Sequence, residues 1–206
     1  MEESQTGLVL ASGSGIRKRL LSAAGFQFEV DPADIDERAI EKTISDPAVL
    51  AAKLAEEKAL TVSRRHPNRL VLGSDQVFTL AGKYVAKPEN TSDLITKLTS
   101  LSGRTHEFNC GFALVRDGVV LHSEVDSVRV SFYDLSDQEV VAYAQTGEGL
   151  GCAGGYRFEE GGVRLIREVE GSHFTVLGLP MTPLVRWLRE SGEIEGLMAV
   201  QENSNE

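Results

Sequence analysis

Two long segments rich in β-forming residues constrain the fold of this chain more than any other feature. They cover residues 105–115 and 119–132, and Asp117-Gly118 lies between them. An Asp-Gly pair between two such segments is a strong signal for a tight hairpin, because the turn needs residues that tolerate positive φ. The sequence therefore predicts an antiparallel pair of long strands.

The rest of the chain alternates between strand and helix patterns, which predicts a mixed α/β fold. Short apolar or alternating runs predict strands at 8–11, 26–30, 70–73 and 76–80. Apolar spacing and end signals predict helices at 17–24, 47–64, 93–101, from 136 onward and at 182–192. Two of these helices have clear starts, since Asp46 precedes a proline and Ser136 forms a capping box with Glu139. We predict a single domain over residues 1–195 and a disordered acidic tail over 196–206.

Composition and charge narrow the functional classes. The chain has 206 residues and a net charge of -10 at pH 7, which argues against coating of DNA or RNA. A small polyphosphate is compatible with this charge, since local cations and a divalent metal can hold it. The sequence has no signal-peptide pattern and no membrane-spanning run, and Cys110 and Cys152 are typical of reduced thiols. We therefore expect a cytoplasmic protein with no nucleic-acid or membrane partner.

Residues 8–19 combine a strand, a Ser/Gly loop and a basic helix start. Backbone N–H groups at a helix N-terminus bind anions, and Arg17, Lys18 and Arg19 would add cations. The same pattern also occurs in plain connections. It matches neither the P-loop nor the dinucleotide fingerprint, whose third glycine is replaced here by Lys18. A second segment, 147–162, contains seven glycines and is typical of a functional loop.

Asp75 lies between the two apolar runs 70–73 and 76–80. A carboxylate in so hydrophobic a window is costly to bury unless it is paired, hydrogen-bonded or bound to a metal. The alternative is a turn cap between two short strands. Asp75 is therefore either a structural cap or a chemically active group.

Two lysines and an acidic loop are further candidates. Lys58 interrupts an apolar i, i+4 row on the predicted helix 47–64, and Lys87 precedes a proline beside a strand. Either lysine could instead extend its ammonium to solvent. The loop with Asp36 and Glu37 is either a solvated surface or a source of oxygen ligands for magnesium.

A series of short motifs resembles those of the Maf-like nucleotide pyrophosphatases. In chain order they are Leu10-Ala11-Ser12-Gly13-Ser14 with Arg17, Ile35-Asp36-Glu37, Leu54-Ala55-Glu56-Glu57-Lys58-Ala59, Val71-Leu72-Gly73-Ser74-Asp75-Gln76, Lys87-Pro88, Leu101-Ser102-Gly103-Arg104-Thr105-His106, Cys152-Ala153-Gly154 and Val176-Leu177-Gly178-Leu179-Pro180. Their order and spacing extend over about residues 7–192. So many motifs in order are a specific signal.

The resemblance implies a mixed, elongated, twisted sheet flanked by helices, with a central cleft, as in Maf and ITPase-like folds. It also implies a house-cleaning hydrolase that cuts a nucleoside triphosphate between the α- and β-phosphates with a divalent cation, Mg²⁺ or Mn²⁺. Asp75 matches the family's proton acceptor, and Glu37 with Asp75 matches its metal-binding positions. The phosphate-contacting positions match Ser12, Arg17, Lys58 and Lys87.

Gln76 and Glu159 resemble the subgroup that acts on 7-methyl-GTP, whereas the subgroup acting on dTTP and UTP tends to have threonine and glutamine there. Ile16 stands where the methylguanine subgroup often has an aromatic residue, and it cannot provide a cation–π contact to a methylated base. The alternatives are a dTTP and UTP pyrophosphatase and a non-catalytic nucleotide-binding regulator of cell division. The sequence leaves the oligomeric state open, with a homodimer among the alternatives.

Overall fold

The computed structural model describes residues 7–198, and its strands form one mixed sheet. The strands are β1 (Leu8–Leu10), β2 (Phe28–Val30), β3 (Leu70–Leu80), β4 (Lys83–Tyr84), β5 (Thr105–Arg116), β6 (Val119–Phe132) and β7 (Ile166–Glu170). Their order is β2-β1-β3-β5-β6-β7, and β4 pairs with the end of β3. β1 is parallel to both of its neighbours, and the other pairs are antiparallel.

Helices cover both faces of this sheet. They are α1 (Gly15–Ala23), α2 (Glu37–Glu41), α3 (Pro47–Ser63), α4 (Thr91–Leu101), α5 (Asp137–Gln145), α6 (His173–Val176) and α7 (Met181–Glu190), with 3-10 turns at Gly161–Leu165 and Glu195–Leu197. The predicted starts of α3 and α5 are confirmed: Asp46 accepts hydrogen bonds from two backbone N–H groups, and the Ser136–Glu139 capping box is formed. The predicted mixed α/β fold is confirmed.

The predicted hairpin is confirmed, but the predicted break at Asp75 is wrong. Asp117 and Gly118 have φ values of 50° and 74° between β5 and β6. β3 runs without interruption from Leu70 to Leu80, and Asp75 is paired with Gly111 in its middle. Because β5 pairs with β3 along almost its whole length, the backbone stays extended through the polar residues. Asp75 is therefore not a turn cap.

Several short elements depart from the sequence predictions. The sequence does not predict the helices α2 and α6 or the strands β4 and β7, since elements of two to five residues carry little periodicity. Phe26 lies outside β2 and forms an isolated bridge with Met198. Leu197 is buried in the core. Leu197 and Met198, which belong to the predicted tail, therefore pack against the domain. The remainder of that tail, 199–206, lies outside the described residues.

The core occupies both faces of β3, whose side chains alternate. On one face, Leu72 packs with α1 and α7, and Phe78 packs with α4 and α5. On the other face, Val71 and Val77 pack beneath α3. No helix between residues 7 and 198 is both long and apolar enough to span a membrane.

Small residues let α3 lie directly on β3 and β5. A Cβ atom added to Gly73 would lie 2.1 Å from the carbonyl oxygen of Ala55, and one added to Gly111 would lie 2.4 Å from that of Ala51. Neither distance is compatible with a side chain. This close approach brings Lys58 of α3 within reach of β3.

Candidate active site

The site begins at an open edge of β3. β1 pairs with β3 only as far as Leu72, and β4 pairs with it from Thr79 onward. Within the described part of the chain, no strand covers the edge between these points. Asp75 and Gln76 lie on this uncovered stretch and face opposite sides of the sheet. A ligand can therefore reach both residues at the carboxyl end of β1, where parallel strands commonly bind ligands.

This edge forms the floor of a cleft of about 860 Å³. The walls are the Ser12–Gly15 loop, the start of α1, α2 and the glycine-rich segment. All the site residues expected from the sequence line this cleft, namely Ser12, Ile16, Arg17, Glu37, Lys58, Asp75, Gln76, Lys87 and Glu159. The fold thus brings together positions that are spread over most of the chain.

Lys58 joins two carboxylates at the centre of the cleft. Its ammonium lies 2.5 Å from Oδ1 of Asp75 and 2.8 Å from Oε1 of Glu37. The side chains of Lys58 and Asp75 are only 10% and 14% exposed, whereas that of Glu37 is 45% exposed. Lys58 therefore does not extend to solvent. Among the described residues, Oδ2 of Asp75 has no hydrogen-bond partner, so this oxygen is available to a water molecule or a cation.

The loop after β1 is held by a hydrogen-bond network that spans the chain. The Ser12 hydroxyl accepts a hydrogen bond from Nη1 of Arg17 at 2.9 Å, and Nε of Arg17 donates to the carbonyl of Gly178 at 2.8 Å. The Ser74 hydroxyl donates to the same carbonyl at 3.2 Å. α1 begins at Gly15, so its free N–H groups lie at the loop. A loop with free N–H groups and a guanidinium beside it has the features of an anion-binding loop.

Gln76 holds the other wall of the cleft. Its side-chain nitrogen donates to the carbonyl oxygens of Thr175 at 2.8 Å and Val176 at 3.0 Å. These are carbonyls of the single-turn helix α6; that of Thr175 also accepts a hydrogen bond from the backbone N–H of Gly178, whereas Gln76 is the donor to that of Val176. Gln76 therefore fixes α6 beside the cleft and presents its side-chain oxygen there.

Glu159 and Phe158 occupy the glycine-rich wall, and Ile16 lies on the α1 side of the same cleft. Arg19 donates a hydrogen bond to Oε1 of Glu159 at 2.7 Å, linking α1 with this wall. Phe158 is half-buried and makes an edge contact with the ring of His173. The sequence interpretation did not single out Phe158, although an aromatic residue beside Glu159 was a usable signal.

Neither cysteine is suited to act as a nucleophile at this site. Both are free, as expected from the sequence. Burial raises the pKa of Cys110 to about 12, so its thiol stays protonated. Cys152 lines the cleft, but burial also raises the pKa of its thiol. Neither cysteine has the lowered pKa that a nucleophilic thiol requires.

A divalent cation fits this site only together with a substrate. Within residues 7–198, no group of three His, Cys, Asp or Glu side chains could hold a metal by itself. Glu37 and Asp75 do supply two carboxylates that converge on one point, now held by Lys58. Magnesium typically takes one or two carboxylates and completes its shell with phosphate and water. The donor set therefore suits a metal that arrives with a phosphorylated ligand.

The fold and the site define a mixed α/β protein whose cleft suits a phosphorylated ligand. Comparison with known proteins gives the family: the chain belongs to the Maf-like proteins, whose family model matches residues 7–191. This confirms the resemblance noted from the sequence.

Two curated relatives agree with this assignment. The chain is 45% identical to a nucleoside triphosphate pyrophosphatase of Rhodopseudomonas palustris strain HaA2, over 88% of this chain and 92% of that protein. It is 42% identical to a 7-methyl-GTP pyrophosphatase of Rhizobium etli, over 92% of this chain and 98% of that protein. Among solved structures, a HAM1 protein from Coxiella burnetii matches 89% of this chain and 98% of that chain, with 16% identity and a TM-score of 0.49.

Proposed function

We propose that this protein hydrolyses the α–β anhydride of a nucleoside triphosphate to a monophosphate and pyrophosphate. The observation that carries the proposal is the cluster of Lys58, Asp75 and Glu37, in which Lys58 and Asp75 are mostly buried. This cluster lies in the same cleft as the Ser12–Gly15 loop. The names of the relatives in two organisms support the same reaction.

The triphosphate lies along the cations of the cleft. The Ser12 hydroxyl, the Arg17 guanidinium and the N-terminus of α1 bind one part of the chain of phosphates. Lys58 and Lys87, which line the same cleft, bind the rest of it. These groups neutralise charge in the substrate and the additional charge that builds up on the leaving pyrophosphate.

Asp75 activates the attacking water. Lys58 holds Asp75 through a hydrogen bond to Oδ1, which fixes the orientation of the carboxylate. Oδ2 accepts a proton from the water as its oxygen bonds to phosphorus, while the anhydride P–O bond breaks and pyrophosphate departs. The proton on Asp75 then passes to solvent or product, which restores the carboxylate.

Glu37 and Asp75 are the residues that would hold the divalent cation, Mg²⁺ or Mn²⁺. When bound, the cation supplies additional charge neutralisation on the phosphate oxygens. Lys58 would then keep the two carboxylates together in the absence of substrate, since like charges so close would otherwise repel.

The base that we propose is 7-methylguanine. The carboxylate of Glu159 can accept hydrogen bonds from the N1–H and amino edge of guanine. The ring of Phe158 offers the aromatic face for a methylated, cationic base that Ile16 lacks. Arg19 holds Glu159 at the mouth of the cleft. The relative from Rhizobium etli, named as a 7-methyl-GTP pyrophosphatase, supports this choice.

Pyrophosphate release with Mg²⁺ over a panel of nucleoside triphosphates tests the reaction and the base. We expect 7-methyl-GTP to be the best substrate, and we expect Asp75→Asn to lower kcat by about 10²–10⁴-fold. Asp137→Asn, an exposed change outside the cleft, is the matched control and should leave kcat unchanged. Orthophosphate as the first product, or full activity of Asp75→Asn, would show that the mechanism is wrong.

A pyrimidine triphosphate is the second candidate substrate, because the family that the sequence resembles includes a subgroup acting on dTTP and UTP, and the name of the relative from Rhodopseudomonas palustris specifies no base. Selective turnover of dTTP and UTP by the wild-type protein would establish this alternative. If 7-methyl-GTP is the substrate, Glu159→Gln should shift the preference towards pyrimidines. Tight nucleotide binding without turnover under several metals would instead indicate the non-catalytic regulator.

A further inference from the structure

Lys97 is a buried cation close to the cleft that the mechanism above does not use. It lies on α4 and is only 6% exposed. Its ammonium donates hydrogen bonds to the carbonyls of Ala86 at 2.9 Å and Ala153 at 2.5 Å, and it lies 4.3 Å from the centre of the Phe78 ring. The ammonium group thus has three partners within the protein, namely two carbonyl oxygens and one aromatic ring.

The two carbonyls belong to two different segments that both line the cleft. Ala86 immediately precedes Lys87, and Ala153 lies in the glycine-rich segment beside Cys152. Both Lys87 and Cys152 line the cleft. One ammonium group therefore joins two segments that are separated by more than sixty residues of chain.

The stem of Lys97 also shapes the glycine-rich segment. A Cβ atom on Gly155 would lie 3.2 Å from Cδ of Lys97, and Gly155 has a φ of +75°. The backbone at Gly155 can approach the lysine this closely only because the residue has no side chain. Lys97 therefore contacts the glycine-rich segment at two points, the carbonyl of Ala153 and the backbone of Gly155.

Stability alone does not explain a lysine at this position. Burial is the main cause that lowers the pKa of Lys97 to about 8, which means that the folded protein disfavours the charged form. A methionine would fill a similar volume among Leu94, Leu98 and Phe78 without this desolvation cost. The charged group of Lys97 therefore serves to hold the segments of Ala86 and Ala153 in place.

We propose that Lys97 is a positioning residue, which ties the segment of Lys87 to the glycine-rich wall and so fixes the position of Lys87 in the cleft. This inference rests on the proposed function, because it takes Lys87 as a phosphate contact. Lys97 acts through Lys87 and the wall and does not touch the substrate.

A double-mutant cycle between Lys97→Met and Lys87→Ala tests this role. The measurements are KM and kcat for pyrophosphate release, and Kd for a non-hydrolysable triphosphate analogue by calorimetry. We expect Lys97→Met to raise KM and Kd about tenfold, the equivalent of one lost charged contact, and to change kcat less. In the Lys87→Ala background, Lys97→Met should have an additional effect of less than about twofold, since contacts in one network are not additive.

Thermal unfolding separates positioning from a structural defect. Lys97→Met should melt within a few degrees of the wild-type protein, because the desolvation cost that it removes offsets the loss of a donor to two carbonyls, whereas the control Leu98→Ala should melt clearly lower and keep its Kd. An unchanged Kd in a folded Lys97→Met protein, or fully additive effects with Lys87→Ala, would overturn the role of Lys97.

The design also separates this role from the proposed reaction. Wild-type protein that binds the analogue but releases no pyrophosphate would refute the reaction, and the Kd cycle would still decide the role of Lys97. Wild-type protein that does neither would overturn both proposals.

Discussion

Replacement of Gly73 by alanine tests whether the close packing of α3 on β3 sets the geometry of the site. The added Cβ would lie 2.1 Å from the carbonyl oxygen of Ala55 and 2.9 Å from the backbone nitrogen of Ala59. These atoms belong to the backbone of a buried helix and cannot rotate away. Because a carbon and a carbonyl oxygen in contact are about 3.3–3.6 Å apart, α3 must move by roughly 1 Å.

Such a movement changes both stability and activity. Overpacking of a core typically costs about 1–3 kcal/mol, which for a chain of this size lowers Tm by about 3–10 °C. Lys58 is carried on α3, and its contact with Asp75 is 2.5 Å long. A displacement of about 1 Å at a catalytic group can lower the rate about 100-fold. We therefore expect Gly73→Ala to lower kcat/KM about 100-fold, while Tm falls by only about 3–10 °C.

The assay compares kcat/KM for pyrophosphate release with Tm from circular dichroism. Gly196→Ala is the matched control, because a Cβ there meets nothing within 4 Å and the backbone is outside the positive-φ region. This control should keep the kinetics of the wild-type protein. A folded Gly73→Ala protein with wild-type kcat/KM would refute the argument that α3 must lie directly on β3 for the site to form.

Two further predictions concern the walls of the cleft. The pKa of Lys97 is lowered to about 8 in the folded protein, whereas a lysine in the unfolded chain has a pKa of about 10.4. Between these two pH values the unfolded chain therefore binds more protons than the folded protein. The free energy of unfolding of the wild-type protein should rise with pH in this range, relative to that of Lys97→Met. Urea unfolding of both proteins at pH 7.5 and 9.5 measures this difference, with the neighbouring titratable groups Lys87, Cys152 and His106 common to both. Gln76→Ala removes the donor to two carbonyls of α6 and should cost about 1–3 kcal/mol; an unchanged urea midpoint would contradict the role of Gln76 in holding α6.

The long elements were predictable because their signals are local. The hairpin of β5 and β6 follows from Asp117-Gly118, and the start of α3 follows from Asp46 and the proline after it. The continuity of β3 was not predictable, since it depends on pairing with β5, which lies more than thirty residues further along the chain. Tertiary pairing thus overrode the local appearance of a break at Ser74 and Asp75.

The site shows the same division between local and distant information. The polar interruption of an apolar row singled out Lys58, and the structure gives it the partners that such a residue requires. Lys97 lacks this signature, because its neighbours four residues away on α4 are Asp93 and Leu101, so the local pattern does not single it out. No local pattern could indicate that the carbonyl of Gly178 receives Arg17, because that contact spans 161 positions of the chain.

The contact between Arg17 and Gly178 also determines when this protein becomes competent during its synthesis. A ribosome makes the Ser12–Gly15 loop first, and Gly178, which anchors Arg17, follows Arg17 by 161 positions. A fragment that stops before Gly178 keeps Lys58 and Asp75 but lacks the carbonyl that both Arg17 and Ser74 bind. We therefore expect such a fragment to leave the Ser12–Gly15 loop unanchored, although it contains the buried ion pair.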